Sequence, residues 1–121
     1  METINKSKIA GFAFALFILM MMTSFIAAEK LVEIKIKTSA VCGMCKDRIE
    51  QGLAFEKGIK DVTLDVATKI ATVKYNPGKT NPDEIRKLIS KLGYDADSIP
   101  SDQKAYDKLP ACCKKDAPEH K

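Results

Sequence analysis

The sequence has few of the residues on which most hydrolases and transferases depend. Its 121 residues include no tryptophan and a single histidine, His120, which stands among charged residues at the C-terminus. We interpret His120 as part of a mobile tail rather than as a ligand, and no Ser-His-Asp set can be assembled without it. A glycine-rich phosphate-binding loop is lacking too. We therefore expect a protein that is not an enzyme.

An excess of charge of one sign is also lacking. Lysine and arginine number 20 and aspartate and glutamate 16, which gives a net charge of +4. These charges are interspersed along the chain, whereas a nucleic-acid-binding domain concentrates its basic residues in a patch or stripe. We therefore expect no nucleic acid partner. A chain of this length has room for one domain and a tail.

The first 28 residues differ in composition from the rest. Lys6 and Lys8 precede residues 9–22, which carry no charge, and small residues then lead up to Ala28. This order is typical of a secretory signal peptide, and we predict cleavage after Ala28. An uncleaved anchor is the alternative, because about 20 apolar residues can span a bilayer. In either case we expect an exported protein, periplasmic or anchored to the outer face of the inner membrane.

Residues 29–99 show the patterns of one small α+β domain. The predicted elements are a strand at 31–37, a helix through Cys45, Ile49 and Leu53, strands at 62–66 and 71–75, a helix between Asn81 and Gly93, and a weak strand within 94–99. Two strand–helix–strand halves can form a four-stranded antiparallel sheet with both helices on one face, a βαββαβ two-layer sandwich. A core of this size supports one small site and no deep pocket.

Two cysteines at the predicted start of the first helix carry the chemistry. Cys42 and Cys45 are separated by Gly43 and Met44, so both sulfur atoms can face one ion. The free N–H groups of a helix start favour thiolates, and thiolates select soft ions such as Cu(I) and Zn(II). We expect an exposed loop. The spacing alone leaves three interpretations open, namely a metal site, a redox dithiol and a stabilising disulfide.

Residues from about 30 to 99 resemble the heavy-metal-associated domain family of copper chaperones, modules of copper-transporting ATPases and periplasmic mercury-binding proteins. The matching stretches are residues 42–50, 58–62, 71–77 and 89–94. The resemblance implies a ferredoxin-like fold in which Cys42 and Cys45 are metal thiolates. It also implies that Tyr94 lies beside the metal loop.

The sequence departs from the family pattern just before the first cysteine. The family has a methionine two residues ahead of that cysteine, within a stretch that here reads Ser39-Ala40-Val41. A methionine, Met44, stands inside the motif instead. We interpret Met44 as packed or exposed rather than as a ligand, and treat it as a possible accessory residue.

A second pair of cysteines lies in the polar C-terminal extension, residues 100–121. A short helix is predicted through Gln103 to Leu109, and Pro110 ends it before Cys112 and Cys113. These thiols are possible accessory ligands, or acceptors of a metal or of electrons from Cys42 and Cys45. The alternatives are an independent thiol pair and a disulfide to another chain.

Together these patterns predict an exported metal-binding protein. We expect Cys42 and Cys45 to capture a soft ion, Cu(I) in the first place and Hg(II) or Zn(II) as alternatives. The ion would pass by ligand exchange to a metal-transporting membrane protein or another metal-binding domain. A thiol–disulfide protein is the alternative class, and it ranks lower because the pattern has two similar halves around a hairpin, unlike thioredoxin.

Overall fold

The computed structural model describes Gly11, residues 14–18 and residues 30–116. Residues 14–18 are helical, and no helix within these ranges is both long and apolar enough to cross a bilayer. Most of the predicted leader, residues 1–28, lies outside the described residues, and so does His120. The account that follows concerns residues 30–116.

Three strands and three helices make up the domain and its C-terminal extension. In chain order they are β1 (Val32–Lys37), α1 (Gly43–Ala54), β2 (Ile59–Asp65), β3 (Ile70–Tyr75), α2 (Pro82–Lys91) and α3 (Gln103–Asp107), followed by a 3₁₀ turn (Ala111–Cys113). The predicted order of elements is confirmed through α2, and α3 lies within the short helix predicted at 103–109. The first helix begins at Gly43, so Cys42 is its N-cap.

The strands form one antiparallel sheet in the order β1-β3-β2. Ile36 lies opposite Ala71, and Ala71 lies opposite Leu64, so all three side chains share one face. The predicted alternation therefore buries this face while Lys35 and Lys74 point away from it. Both helices contribute buried residues to the same core, namely Ile49 and Leu53 from α1 and Ile85 and Ile89 from α2. The two-layer α+β architecture is confirmed.

The prediction of a fourth strand is wrong within residues 30–116. The segment at 94–99 forms only isolated bridges, from Ala96 to Thr38 and from Ala96 to Ile99. The bridge between Ala96 and Ile99 folds the segment back on itself. Asp97, which lies between these two residues, has a φ of 50°. Because a left-handed residue breaks an extended run, the segment meets the end of β1 without continuing along it.

The second helix begins and ends where the sequence predicts. The Asn81 side chain caps it by accepting a hydrogen bond from the Glu84 N–H at 3.0 Å, and Pro82 occupies the first turn. Gly93 follows the helix with a φ of 101°, a conformation that glycine adopts at little cost. This abrupt end directs the chain to Tyr94, which is completely buried.

The C-terminal extension packs against the domain, and we call residues 101–116 the C-terminal strap. A methyl group at Gly93 would come within 3.1 Å of the Ala105 backbone, so α3 lies directly against the end of α2. The Asp102 N–H donates to the Ser90 carbonyl at 2.9 Å, which fixes the start of the strap. Leu109 is buried in the common core. The strap therefore returns the chain to the cysteine loop.

Candidate metal centre

The start of α1 brings the two predicted thiols together. Cys42 is extended, with φ and ψ of −152° and 172°, and Cys45 lies in the first helical turn. Residues three apart at a helix start face the same side. The two sulfur atoms consequently lie 3.3 Å apart.

The helix start also favours the charged form of Cys42. Burial alone would raise the pKa of its thiol, but the N–H groups of Cys45 and Met44 lie close enough to lower it below its usual value. These N–H groups carry the positive end of the helix dipole and have no carbonyl partner one turn back. No acidic residue in the first turn competes with the sulfur for them. The helix start therefore favours Cys42 as a nucleophile and metal ligand.

The C-terminal cysteines lie at the same place. The Cys113 sulfur is 3.9 Å from that of Cys42, across 71 positions of sequence. The sulfur atoms of Cys42, Cys112 and Cys113 all lie within 4.8 Å of one another. All four cysteines are free thiols. Cys112 and Cys113, which the sequence predicts only as possible accessory ligands, thus contact the Cys-Gly-Met-Cys loop. They do not form an independent thiol pair.

The expectation of an exposed loop is wrong for the two cysteines, whereas Gly43 and Met44 between them are exposed. Cys45 is 0% exposed, Cys42 6% and Cys113 1%. The 3₁₀ turn of the strap covers the sulfur atoms. Because this contact joins residues 71 positions apart, no local sequence pattern predicts it. At the edge of the cluster the Cys112 thiol donates to the Met44 sulfur at 3.8 Å. Met44 is 49% exposed, which is one of the two positions predicted for it, packed or exposed.

Tyr94 lies on the inner side of the cluster. Its hydroxyl is buried and has no hydrogen-bond partner of ordinary geometry among the described residues. Burial raises the pKa of the phenol far above its usual value, and the neighbouring thiols of Cys113 and Cys45 raise it further. A buried hydroxyl without an acceptor costs stability. Its position lets it donate to a sulfur that becomes negatively charged.

Cys113 responds to the same surroundings. Burial raises the pKa of its thiol well above the usual value, and the nearby Cys45 thiol raises it further. Without an ion, Cys113 is therefore a neutral thiol. A coordinated metal ion reverses this preference because it deprotonates the thiols that bind it.

The residues before Cys42 stand where the family pattern has a methionine that this chain lacks. Ala40 and Val41 are buried in the core. The Ser39 hydroxyl accepts a hydrogen bond from the Asp95 N–H at 2.9 Å, which ties this loop to the segment that carries Tyr94. Sequence reasoning missed Ser39, and its only signal was a polar residue in an otherwise apolar stretch.

The arrangement combines four thiols and one thioether with a phenol. Within residues 30–116, the group of side chains spaced to hold an ion consists of cysteines alone, with no carboxylate. Such a donor set suits soft ions and not Mg²⁺ or Ca²⁺.

Comparison with known families identifies the domain. Residues 36–95 match the family model described as heavy-metal-associated domain. The copper-exporting P-type ATPase of Staphylococcus saprophyticus is 42% identical over 55 residues, which cover 46% of this chain and 7% of the ATPase. That of Staphylococcus haemolyticus is 39% identical over 66 residues, 54% of this chain and 8% of the ATPase. The chain thus spans less than a tenth of the length of these curated relatives.

Solved structures share the fold. The soluble region of the P-type ATPase CopA from Bacillus subtilis is 35% identical with a TM-score of 0.53, over 56% of this chain and 46% of that one. The CopZ metallochaperone has a TM-score of 0.52 at 21% identity, over 54% and 98%. Oxidized MerP from Ralstonia metallidurans CH34 has a TM-score of 0.53 at 18% identity, over 55% and 94%. Through residues 36–95, the chain belongs to the heavy-metal-associated domain family.

Proposed function

We propose that this protein binds a soft metal ion, Cu(I) in the first place, through Cys42 and Cys45 and passes it to a partner protein. One observation carries the proposal: the two thiols lie 3.3 Å apart at the start of α1, where the helix lowers the pKa of Cys42. Two thiolates at this spacing can bind one thiophilic ion. The protein is a carrier of the ion and not an enzyme.

The choice of Cu(I) rests on ligand chemistry and on relatives. Thiolates and thioethers are the ligands that Cu(I) prefers, and Met44 adds a thioether at the rim. The relatives at 42% and 39% identity are copper-exporting ATPases. Hg(II) and Zn(II) are the alternatives. The likeness to MerP, at 18% identity, supports the fold and not mercury as cargo.

Transfer proceeds by ligand exchange. A thiolate of the partner bonds to the ion while the bond to Cys42 or Cys45 breaks, and the oxidation state of the ion does not change. The thiolate that departs takes up a proton. A metal-transporting membrane protein or another metal-binding domain is the partner that this chemistry fits. The ATPases themselves are more than ten times longer than the matched segment, so the transport activity would belong to the partner.

The place of action is the cell envelope. The order of basic, apolar and small residues in positions 1–28 supports export, with cleavage after Ala28. Mass measurement of the protein recovered from cells that express the full gene tests this step. A mass that begins at Glu29 supports a periplasmic protein, whereas an intact mass in the membrane fraction supports an anchored one.

Anaerobic titration of the full chain with Cu(I), followed by native mass spectrometry, tests binding. We expect one ion per chain, and loss of that ion in the Cys42→Ser/Cys45→Ser variant. Hg(II) and Zn(II) titrations of the same samples decide the cargo.

A thiol–disulfide protein remains the second candidate, because the same 3.3 Å spacing and lowered Cys42 pKa suit disulfide exchange. Catalytic reduction of a disulfide substrate without any uptake of a soft ion would favour it over metal transfer.

A further inference from the structure

A third thiol stands beside the two that the family motif supplies. Cys113 is 1% exposed, lies 3.9 Å from Cys42 sulfur to sulfur, and is close enough to Cys45 for their thiols to influence one another. Cys113 belongs to the C-terminal strap, outside residues 36–95 that match the family. Its presence at the site is therefore a property of this chain's own extension.

Several independent contacts hold the strap in place. The Ala105 backbone lies so close to Gly93 that a Cβ at that position would come within 3.1 Å of it. At the far end, the Lys115 ammonium forms an ion pair with Asp95 at 2.8 Å, and the Lys115 N–H donates to the Tyr106 hydroxyl at 3.1 Å. Cys113 lies between these two anchors, so its position is built into the packing of the strap.

The distances suit a three-coordinate ion. With metal–sulfur bonds of about 2.3 Å, three sulfur atoms in a trigonal arrangement lie about 4 Å apart. The sulfur separations from Cys42, 3.3 Å to Cys45 and 3.9 Å to Cys113, are both near this value.

The buried hydroxyl of Tyr94 is a second feature that favours negatively charged ligands at this site. The Tyr94 hydroxyl is buried beside Cys45 and Cys113 and has no hydrogen-bond partner of ordinary geometry among the described residues. Three thiolates around one soft cation carry excess negative charge, and a hydrogen bond from Tyr94 would offset part of it. The unpartnered phenol thereby gains an acceptor when an ion is bound.

We propose that Cys113 is a third thiolate ligand, so that the C-terminal strap closes a Cys42–Cys45–Cys113 site over the soft ion. The inference rests on the proposed function, because it concerns the same ion. A three-thiolate site holds its ion more tightly than a two-thiolate one and shields it from water. A partner must displace Cys113 before it can take the ion, so the strap controls release.

Cys112 provides a matched control. It is adjacent in sequence and also within 4.8 Å of Cys42, but it is half-buried and its thiol donates to Met44 at the rim. We therefore expect Cys112 to contribute little to the affinity. Replacing either cysteine by alanine removes one sulfur from the strap and keeps the site apolar.

The experiment compares the full chain with its Cys113→Ala and Cys112→Ala variants, all reduced and anaerobic. Competition with a chromophoric Cu(I) chelator measures affinity, and X-ray absorption at the copper edge counts sulfur ligands. We expect three sulfur ligands in the wild type and two in Cys113→Ala. We also expect Cys113→Ala to bind Cu(I) at least about 10-fold more weakly, because the loss of even an outer-shell partner costs about 10- to 100-fold, and Cys112→Ala to lose much less affinity than Cys113→Ala.

Each contrary result has a defined meaning. Two sulfur ligands in the wild type, unchanged affinity in Cys113→Ala, or a larger loss in Cys112→Ala would overturn the role of Cys113. Absence of Cu(I) uptake by the wild type would instead overturn the proposed function. Circular dichroism checks that the variants fold, and if Cys113→Ala does not, the wild-type sulfur count alone decides.

Discussion

The two long helices begin in opposite ways. At α2, the Asn81 side chain accepts a hydrogen bond from the Glu84 N–H, and Pro82 and acidic residues follow. At α1, Cys42 stands in the N-cap position, no side-chain capping bond of ordinary geometry forms, and the first turn carries no acid. The positive end of α2 is therefore used for stability. The positive end of α1 instead stabilises the Cys42 thiolate.

This difference implies a conflict between stability and function at Cys42. Serine is among the preferred N-cap residues, and its hydroxyl is smaller and harder than a thiol. A residue that improves the helix start would therefore remove the soft ligand. Functional sites are where such departures from local stability are expected.

Replacing Cys42 by serine should have the largest effect on the difference between the two helix starts. Without metal, we expect the Cys42→Ser chain to be as stable as the wild type or more so, because serine caps α1. With Cu(I) buffered at 1,000 times the wild-type dissociation constant, the wild type should gain about 4 kcal/mol of unfolding free energy and the variant far less. Thermal unfolding with and without buffered Cu(I) measures both. An equal gain in the two proteins would contradict the assignment of Cys42 as a ligand.

A substitution at the end of α2, Gly93→Ala, should have the next largest effect on stability. Gly93 has a φ of 101° and lies against the Ala105 backbone, so Gly93→Ala adds strain and pushes the strap away. We expect a loss of about 1–3 kcal/mol in urea unfolding and faster reaction of Cys113 with a thiol reagent. Gly43→Ala is the matched control, since a Cβ there meets no atom within 4 Å. Equal losses in the two variants would contradict a specific role for Gly93.

The cap of α2 should affect stability alone. Asn81→Ala removes the acceptor for the Glu84 N–H and should cost about 1 kcal/mol, while Asn81→Ser should restore most of it. Ten residues of helix, about 15 Å, separate this cap from the end near Tyr94. We therefore expect unchanged Cu(I) affinity in both variants, as measured by chelator competition. A weakened site in Asn81→Ala would mean that the two helix starts are coupled.

The same contrast explains what could be predicted from the sequence. Asn81, Pro82 and Gly93 signal the ends of α2 because capping depends only on neighbouring residues. The alternation in β1 and β3 likewise depends on one buried face. The pair Cys42 and Cys45 was recognisable because three residues of helix bring the two sulfur atoms together.

The features that the sequence did not reveal are long-range. Cys113 reaches Cys42 across 71 positions, and its path depends on how closely α3 packs on Gly93. The burial of the Cys42 and Cys45 side chains follows from that packing. The missing fourth strand has a similar cause, since the turn at Asp97 is fixed by partners far away in the chain.

Asp97 gives the smallest predicted effect and concerns the segment between α2 and the strap. Burial alone would raise the pKa of its carboxyl group, but hydrogen bonds from Arg86 and from the Lys37 N–H lower it below the usual value. The folded pKa is thus below the unfolded value of about 4. The contribution of this carboxylate to stability is present above pH 4 and is lost as the pH falls through the folded pKa. Because the Arg86–Asp97 ion pair is about one-third exposed, we expect Asp97→Asn to cost less than about 1 kcal/mol at pH 7. Urea unfolding at pH 7 and at pH 3 measures the difference, which should shrink at the lower pH. A cost that is the same at both values would mean that Asp97 acts through its turn geometry and not through its charge.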